Sequence, residues 1–297
     1  MSLKTIGLHA SVAEVSVARS WLFVPGDSAR KIERSLAGDA DALILDWEDA
    51  VAPAAKATAR ETTVAALAAA RPPTARCWIR VNALDSPHFA ADLASLPAAL
   101  VAGVVLPKAC GLADLERLGR VLNTVEAAAG LRSGHLHVVA IATETAASVL
   151  ALGEFRRPVP RLVAMMWGGE DLAGDLGVAR NRDEKGDYRA PFRLARSLVL
   201  LAAAAAECSA IDAVRVDFRD VDALASECAD ARADGFTAKA AIHPDQIAPI
   251  NRSFAATSDE RAWAERVVAA LRDGGLAVVD GKMVDAPHLR LARRILS

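Results

Sequence analysis

Short apolar runs alternate with longer, Ala-rich stretches along most of this chain, and the alternation is regular enough to count. Runs at 21–24, 42–46, 76–81, 103–106, 137–141, 162–167, 213–216 and 238–242 are each too short for a helix and give way to turn residues. Between them, segments such as 54–70, 111–129, 191–207 and 220–234 carry apolar residues at helical spacing. Runs that are apolar throughout, rather than alternating, are the mark of strands buried on both faces, so the sheet is predicted to be parallel and covered by helices. Eight such units within roughly 250 residues is the count and size of a (β/α)8 barrel.

The competing architecture is an open doubly wound sheet, which wants a Gly-rich turn after its first strand. The first run here meets Pro25-Gly26-Asp27 instead. Polar residues also recur at the carboxyl end of nearly every run: Glu48 and Asp49, Arg80 and Asn82, Lys108, Glu144, Asp171, Asp217 and His243. In a barrel these ends form one rim, where residues distant in sequence converge. The prediction is therefore an α/β protein with a TIM-barrel domain over 1–272 and a small C-terminal segment over 273–297. In that segment Asp273-Gly274-Gly275 breaks a helix, Ala277-Val278-Val279 makes a short strand, Asp280-Gly281 forms a hairpin turn, and a basic helix starts at Ala286. So small a piece buries little core alone and is expected to pack on a barrel mouth, its own or a neighbour's.

Composition narrows the partners. A net charge of -2 over 297 residues offers no basic surface for nucleic acid. Hydrophobic residues make up 53% and aromatics only 4%, which suits helices packed on parallel strands. Four scattered cysteines argue against a disulfide framework or a zinc site and for reduced thiols in the cytoplasm. The first twenty residues mix Lys4, His9, Glu14 and Arg19 with apolar residues, unlike a signal peptide, and the most apolar run, 197–206, is about half of the ~20 residues a membrane span needs.

Glu144 and Asp171 lead the candidates for chemistry, because magnesium commonly takes one or two carboxylates and leaves its other positions to water and substrate oxygens. Each also precedes a helix and has an alternative reading as an N-cap. Arg80 ends an apolar strand and needs an anionic partner, either Glu48 or Asp49 or a substrate group. Asp46-Trp47-Glu48-Asp49 supplies three acids within four positions, and Lys108 shares Arg80's two readings. Arg30-Lys31 opens a helix beside the predicted mouth, as solvated cations or as phosphate partners. His243 before Pro244 reads first as a helix start, and Asp285 alone reads as an N-cap with Pro287 in the first turn.

The motifs S-W-L-F-V-P-G-D, D-A-L-I-L-D-W-E-D-A-V-A-P, I-R-V-N, V-V-L-P-K, A-T-E-T-A, W-G-G-E-D-L-A-G-D-L-G and A-A-I-H-P-D-Q-I occur in that order. Together they resemble the citrate lyase beta-subunit-like branch of the aldolase and citrate lyase superfamily, which includes malyl-CoA and citramalyl-CoA lyases. The resemblance implies a (β/α)8 barrel, assembled as a homo-oligomer (a trimer or hexamer), that uses magnesium to make or break a carbon–carbon bond between a 2-oxo acid and a CoA thioester. It implies Glu144 and Asp171 as magnesium ligands, Arg80 at the thioester carbonyl and the oxo acid, and Glu48 and Asp49 behind the metal's waters. Pro25, Gly26, Arg30 and Lys31 fall where the family binds CoA. K-M-V-D-A-P resembles the lid of the CoA lyases, with Asp285 exchanging a proton with the enolate carbon over a neighbour's site. The expected substrates are citramalyl-CoA, giving pyruvate, and then malyl-CoA, giving glyoxylate. Alternatives are a citrate lyase subunit acting on a carrier-bound thioester and a CoA-independent aldolase. Trp47 and Trp167-Gly168-Gly169 depart from the family pattern and are expected to alter the pocket.

Overall fold

The apolar runs pair edge to edge until the sheet closes. In the computed structural model, which describes residues 18–72 and 76–296, the strands are β1 (Ser20–Pro25), β2 (Ala42–Asp46), β3 (Cys77–Arg80), β4 (Gly103–Leu106), β5 (His137–Ile141), β6 (Leu162–Met166), β7 (Ser209–Asp212) and β8 (Ala238–Ala241). They form a closed parallel barrel in chain order, β8 returning to β1. The amino-terminal stretch read above as unlike a signal peptide lies largely outside the described residues.

Size complementarity fills the barrel. Trp21 lies in register with Ala42 on one side and Ala240 on the other, so its bulky ring is flanked by small side chains. Trp21 and Trp78 meet with ring centroids 5.3 Å apart, and Ile44, Val105, Val139, Ile141, Met166 and Ile211 complete the interior. Gly103 sits where an added Cβ would fall 2.0 Å from the His137 carbonyl oxygen, so β4 approaches β5 only because that position has no side chain.

The helices are α1 (Ala29–Leu36), α2 (Lys56–Ala70), α3 (Phe89–Ser95), α4 (Leu112–Ala128), α5 (Ala146–Ala151), α6 (Gly169–Asp175), α7 (Ala190–Ala205), α8 (Val221–Asp234) and α9 (Ile247–Phe254). Away from the mouth, Glu126 of α4 is buried and accepts from Arg161 at 2.6 and 2.7 Å and from the Leu136 and Gly134 amides. Among the described residues no helix is long and apolar enough to cross a membrane. All four cysteines are free.

One strand is not where the pattern put it. β7 is Ser209–Asp212, while residues 213–216, with their more strand-like alternation, form the start of the following loop and leave Val216 exposed. Asp217 is consequently a loop residue, and Asp212 is the acid at the seventh strand's end. It is buried because Lys239 of β8 and Arg196 of α7 both pair with it, at 2.8 and 3.0 Å.

The chain divides into two compact units, one through Ser253 and one from Phe254. This division comes earlier than 272, because α10 (Ser258–Ala270) shares a core with the terminal helix α11 (Ala286–Leu296): Ala264, Val267 and Leu271 pack with Val279, Val284 and Ala292. Between those helices runs a hairpin of β9 (Ala277–Val279) and β10 (Lys282–Val284), turned by Asp280 and Gly281 at φ 51° and 74°. Two consecutive left-handed residues match the twist of a two-residue hairpin loop. The other face of the hairpin is bare: Leu276, Val278 and Met283 are 69%, 73% and 68% exposed.

Candidate active site

The carboxyl ends of the barrel strands enclose a cavity of about 230 Å³ whose lining includes Asp46, Asp49, Arg80, Glu144 and Asp171. Asp46 and Arg80 are neighbours in the β2–β3 register. The carboxylate of Asp46 accepts Arg80 Nε at 2.7 Å and Nη2 at 2.5 Å, and also takes the backbone amides of Glu48 and Ala50 at 2.8 and 3.2 Å. One acid thus orients the guanidinium and shapes the turn that carries Glu48 and Asp49. Arg80 Nη1 stands 3.1 Å from Glu48 Oε2, its guanidinium lies 4.9 Å from the Phe23 ring, and the other Glu48 oxygen accepts from Lys108 Nζ. Burial alone would lower the Arg80 pKa, but Asp46, followed by Glu48 and Glu144, drives it upward and keeps the side chain charged.

Glu144 follows β5 and is 2% exposed. Burial, reinforced by the negative charge of Asp171, pushes its carboxyl up to about 8. It accepts a hydrogen bond from the Lys108 amide, which is aimed by a left-handed backbone at that residue, φ 53°. Gly168 lies directly beneath it: a Cβ there would come within 2.9 Å of Glu144 Cγ.

Neither acid is a helix cap. Thr145 caps α5 through a reciprocal pair with Ser148, and Gly168 occupies the N-cap of α6, leaving Asp171 in that helix's first turn. A buried carboxyl whose proton affinity is raised by burial and by a second carboxylate in the same cavity has the electrostatics of a cation site. Among the described residues no cluster of three or more His, Cys, Asp or Glu is positioned to hold a metal. Magnesium needs fewer, since it retains waters and takes substrate oxygens.

The facing wall is apolar and aromatic, built from Met166, Trp167, Tyr188, Val214 and Ile242. Trp167 donates its indole N–H to Asp212 at 2.7 Å, and the Tyr188 ring meets it edge-on at 4.8 Å.

Of the residues singled out from the sequence, Asp49, Arg80, Glu144 and Asp171 line the cavity and Glu48 touches Arg80 behind it. Pro25, Gly26, Arg30 and Lys31 do not line it. Gly26 has a packing reason of its own, since a Cβ there would meet the Asp46 carbonyl oxygen and Trp47 Cδ1 at 2.7 Å each, while Arg30 and Lys31 stand exposed on α1. Trp47 corrects an expectation: it points away from the cavity, buried with its indole N–H on Thr63 Oγ1 at 3.0 Å, whereas Trp167, Gly168 and Gly169 do line the pocket. His243 caps the turn after β8, accepting from the Asp245 amide at 3.2 Å, and stacks on Phe218.

Asp285 belongs to the second unit, where it immediately precedes α11 and pairs with His288 Nδ1 at 2.7 Å. Sequence reasoning did not pick out Asp46 as Arg80's main partner, nor Asp212 or Tyr188. Lys239, a lone cation inside the apolar run A-K-A-A, was the available sign that a buried acid stood near β8.

Fold and mouth together define a closed parallel barrel that gathers acids and one oriented arginine around a cavity at its rim. Residues 19–244 match the HpcH/HpaI aldolase/citrate lyase family, and the chain belongs to it. The chain is 37% identical over 277 residues to a citrate lyase subunit beta-like protein of Mycobacterium tuberculosis, covering 93% of each. It is 34% identical to a (3S)-malyl-CoA thioesterase of Cereibacter sphaeroides, over 94% of this chain and 93% of the relative. With the mitochondrial citramalyl-CoA lyase of Rattus norvegicus it shares 31% identity, over 94% of this chain and 85% of that one. Among solved structures, CitE of M. tuberculosis in complex with magnesium, acetoacetate and coenzyme A superposes with a TM-score of 0.75 at 35% identity, covering 95% of this chain and 98% of that one.

Proposed function

We propose that this chain is a magnesium-dependent carbon–carbon lyase that cleaves a 3-hydroxyacyl-CoA to acetyl-CoA and a 2-oxo acid, with citramalyl-CoA giving pyruvate placed ahead of malyl-CoA giving glyoxylate. The observation that carries this reading is Glu144, a buried carboxyl that shares its cavity with Asp171 and faces an Arg80 fixed in one orientation. Glu144 and Asp171 would hold the ion, and the cradle fits: Gly168 leaves no room for a side chain between the backbone and Glu144. When bound, magnesium supplies Lewis acidity that makes a substrate hydroxyl easier to deprotonate and steadies the oxo-acid product.

The chain's own groups do the rest. Arg80, clamped by Asp46, offers its remaining N–H donors to negative charge developing on the thioester oxygen, in a pocket partly closed to water. Glu48 and Asp49, with Lys108 between them, would order waters at the rim. Asp285 would deliver a proton to the enolate carbon during cleavage and remove one from acetyl-CoA in the reverse direction. The bare hairpin face of Leu276, Val278 and Met283 beside Asp285 supports seating this unit over the mouth of a second copy in a homo-oligomer, where that apolar surface is covered. Arg30 and Lys31, exposed on α1, are the proposed contacts for the CoA phosphates.

A second reading is favoured by the malyl-CoA thioesterase among the relatives: hydrolysis of the thioester without carbon–carbon cleavage. Product analysis separates the two. The purified chain with magnesium and citramalyl-CoA or malyl-CoA is expected to release acetyl-CoA with pyruvate or glyoxylate, and chelation is expected to stop it. Free CoA with intact hydroxy acid would establish the hydrolase. Activity that appears only with a carrier-protein thioester, or equal turnover of the free hydroxy acid, would overturn the CoA-ester assignment.

A further inference from the structure

The wall opposite Arg80 is held by a closed circuit of side chains. Starting from Trp167, the indole N–H donates to Asp212 at 2.7 Å, Asp212 pairs with Lys239 at 2.8 Å, and Lys239 lies 3.4 Å from Glu227. Glu227 pairs with Arg182 at 2.8 Å, Arg182 Cζ lies over the Tyr188 ring at 3.8 Å, and Tyr188 returns to Trp167 at 4.8 Å. Tyr188 is presented by residues 181–189, which fold back on themselves through Asp183 N–H to the Asp187 carbonyl and Arg189 N–H to the Asn181 carbonyl, both at 2.9 Å. Gly169 completes the arrangement. A Cβ there would approach the Trp167 ring to 3.1 Å and Tyr188 Cε1 to 3.6 Å, so the large indole and the missing side chain two positions later are one feature of the sequence.

Resting on the function proposed above, we infer that the Trp167–Tyr188 pair is the specificity-determining wall for the substituent on the 2-oxo acid. The acid's carboxylate and keto oxygen turn toward the Glu144 and Asp171 side, and the thioester must approach from Arg80. The substituent is left pointing at the apolar lining away from Arg80, where Trp167 and Tyr188 are the aromatic groups, Phe23 being the ring beside Arg80. Both rings are held in place: the Trp167 indole donates to the buried Asp212, itself paired with Lys239, and Tyr188 meets that indole edge-on with Arg182 over its own ring. A fixed wall discriminates by size, and one methylene against such a wall changes selectivity by roughly 10- to 200-fold.

The test measures glyoxylate, pyruvate and 2-oxobutyrate side by side in the magnesium-loaded protein, as dissociation constants by titration calorimetry and as kcat/KM for condensation with acetyl-CoA. Tyr188→Ala, at a half-buried loop position, is expected to move the preference toward 2-oxobutyrate over pyruvate by at least ~10-fold. Gly169→Ala, which crowds the indole, is expected to move it toward glyoxylate. Ratios unchanged within twofold in both variants, with a wild type that condenses normally, would overturn the inference and leave the lyase reading intact. Shifted dissociation constants with no condensation by any form would sink the lyase reading and keep the wall. Failure of the wild type to bind any of the three acids would overturn the wall as well.

Discussion

Arg80 and Asp46 meet edge to edge through two hydrogen bonds, 2.7 and 2.5 Å long, at the ends of adjacent strands. A lysine keeps the charge but cannot reproduce a two-point contact. Arg80→Lys is therefore expected to lower kcat/KM by about 10²-fold, the scale of removing one aimed donor. Asp46→Ala, which leaves a buried guanidinium short of its main partner, is expected to cost about 3–5 kcal/mol of stability. Chemical denaturation of the two variants checks the contrast, and equal loss of stability in both would contradict it.

Magnesium should stabilise the wild type against heat and should not stabilise Glu144→Gln or Asp171→Asn. At a hundredfold excess over its dissociation constant a ligand that binds only the native state adds about 2.7 kcal/mol. A thermal shift of similar size in the variants would mean that the ion binds elsewhere.

Asparagine has the shape of aspartate and keeps an oxygen that can meet His288 Nδ1. Asp285→Asn should therefore leave the melting temperature nearly unchanged while lowering turnover by at least ~10²-fold, the loss expected when an acid–base group disappears. Near-normal turnover would reduce Asp285, with its His288 contact, to the helix start seen in the second unit.

Glu126 gives a pH signature remote from the mouth. Burial would raise its pKa, but hydrogen bonds from Arg161 and from the Leu136 and Gly134 amides hold it below the ordinary 4.5. A depressed folded-state pKa means that the unfolded chain binds the proton more readily, so this contribution is present above about pH 4.5 and fades as the pH falls through the folded value. Glu126→Gln should flatten the acid side of a plot of melting temperature against pH. An unchanged slope would show that the Arg161 contact is too weak to matter.

Most of the barrel was legible because buried parallel strands must be apolar, and the rim was legible because barrel strands end in polar residues. The seventh strand was hidden for a physical reason. S-A-I-D ends in an acid that is costly to bury alone, and Lys239 and Arg196, distant in sequence, are what pair with it. The A-V-R-V run beyond it alternates well yet has no partner strand. Trp47 was misjudged because its partner is distant: Thr63, sixteen residues on, takes its indole N–H and holds the ring in the packing away from the mouth. What no pattern reveals is partner choice, such as Arg80 taking Asp46 rather than Glu48 or Asp49 as its principal clamp.

The 2.9 Å that a Cβ at position 168 would leave to Glu144 constrains the history open to this sequence. Neighbouring positions offer gradual routes to new selectivity, since rings can shrink or grow by single steps. Position 168 offers none, because even the smallest replacement must dislodge the acid above it. Descendants that diversify their chemistry should thus be found varying around an immovable glycine.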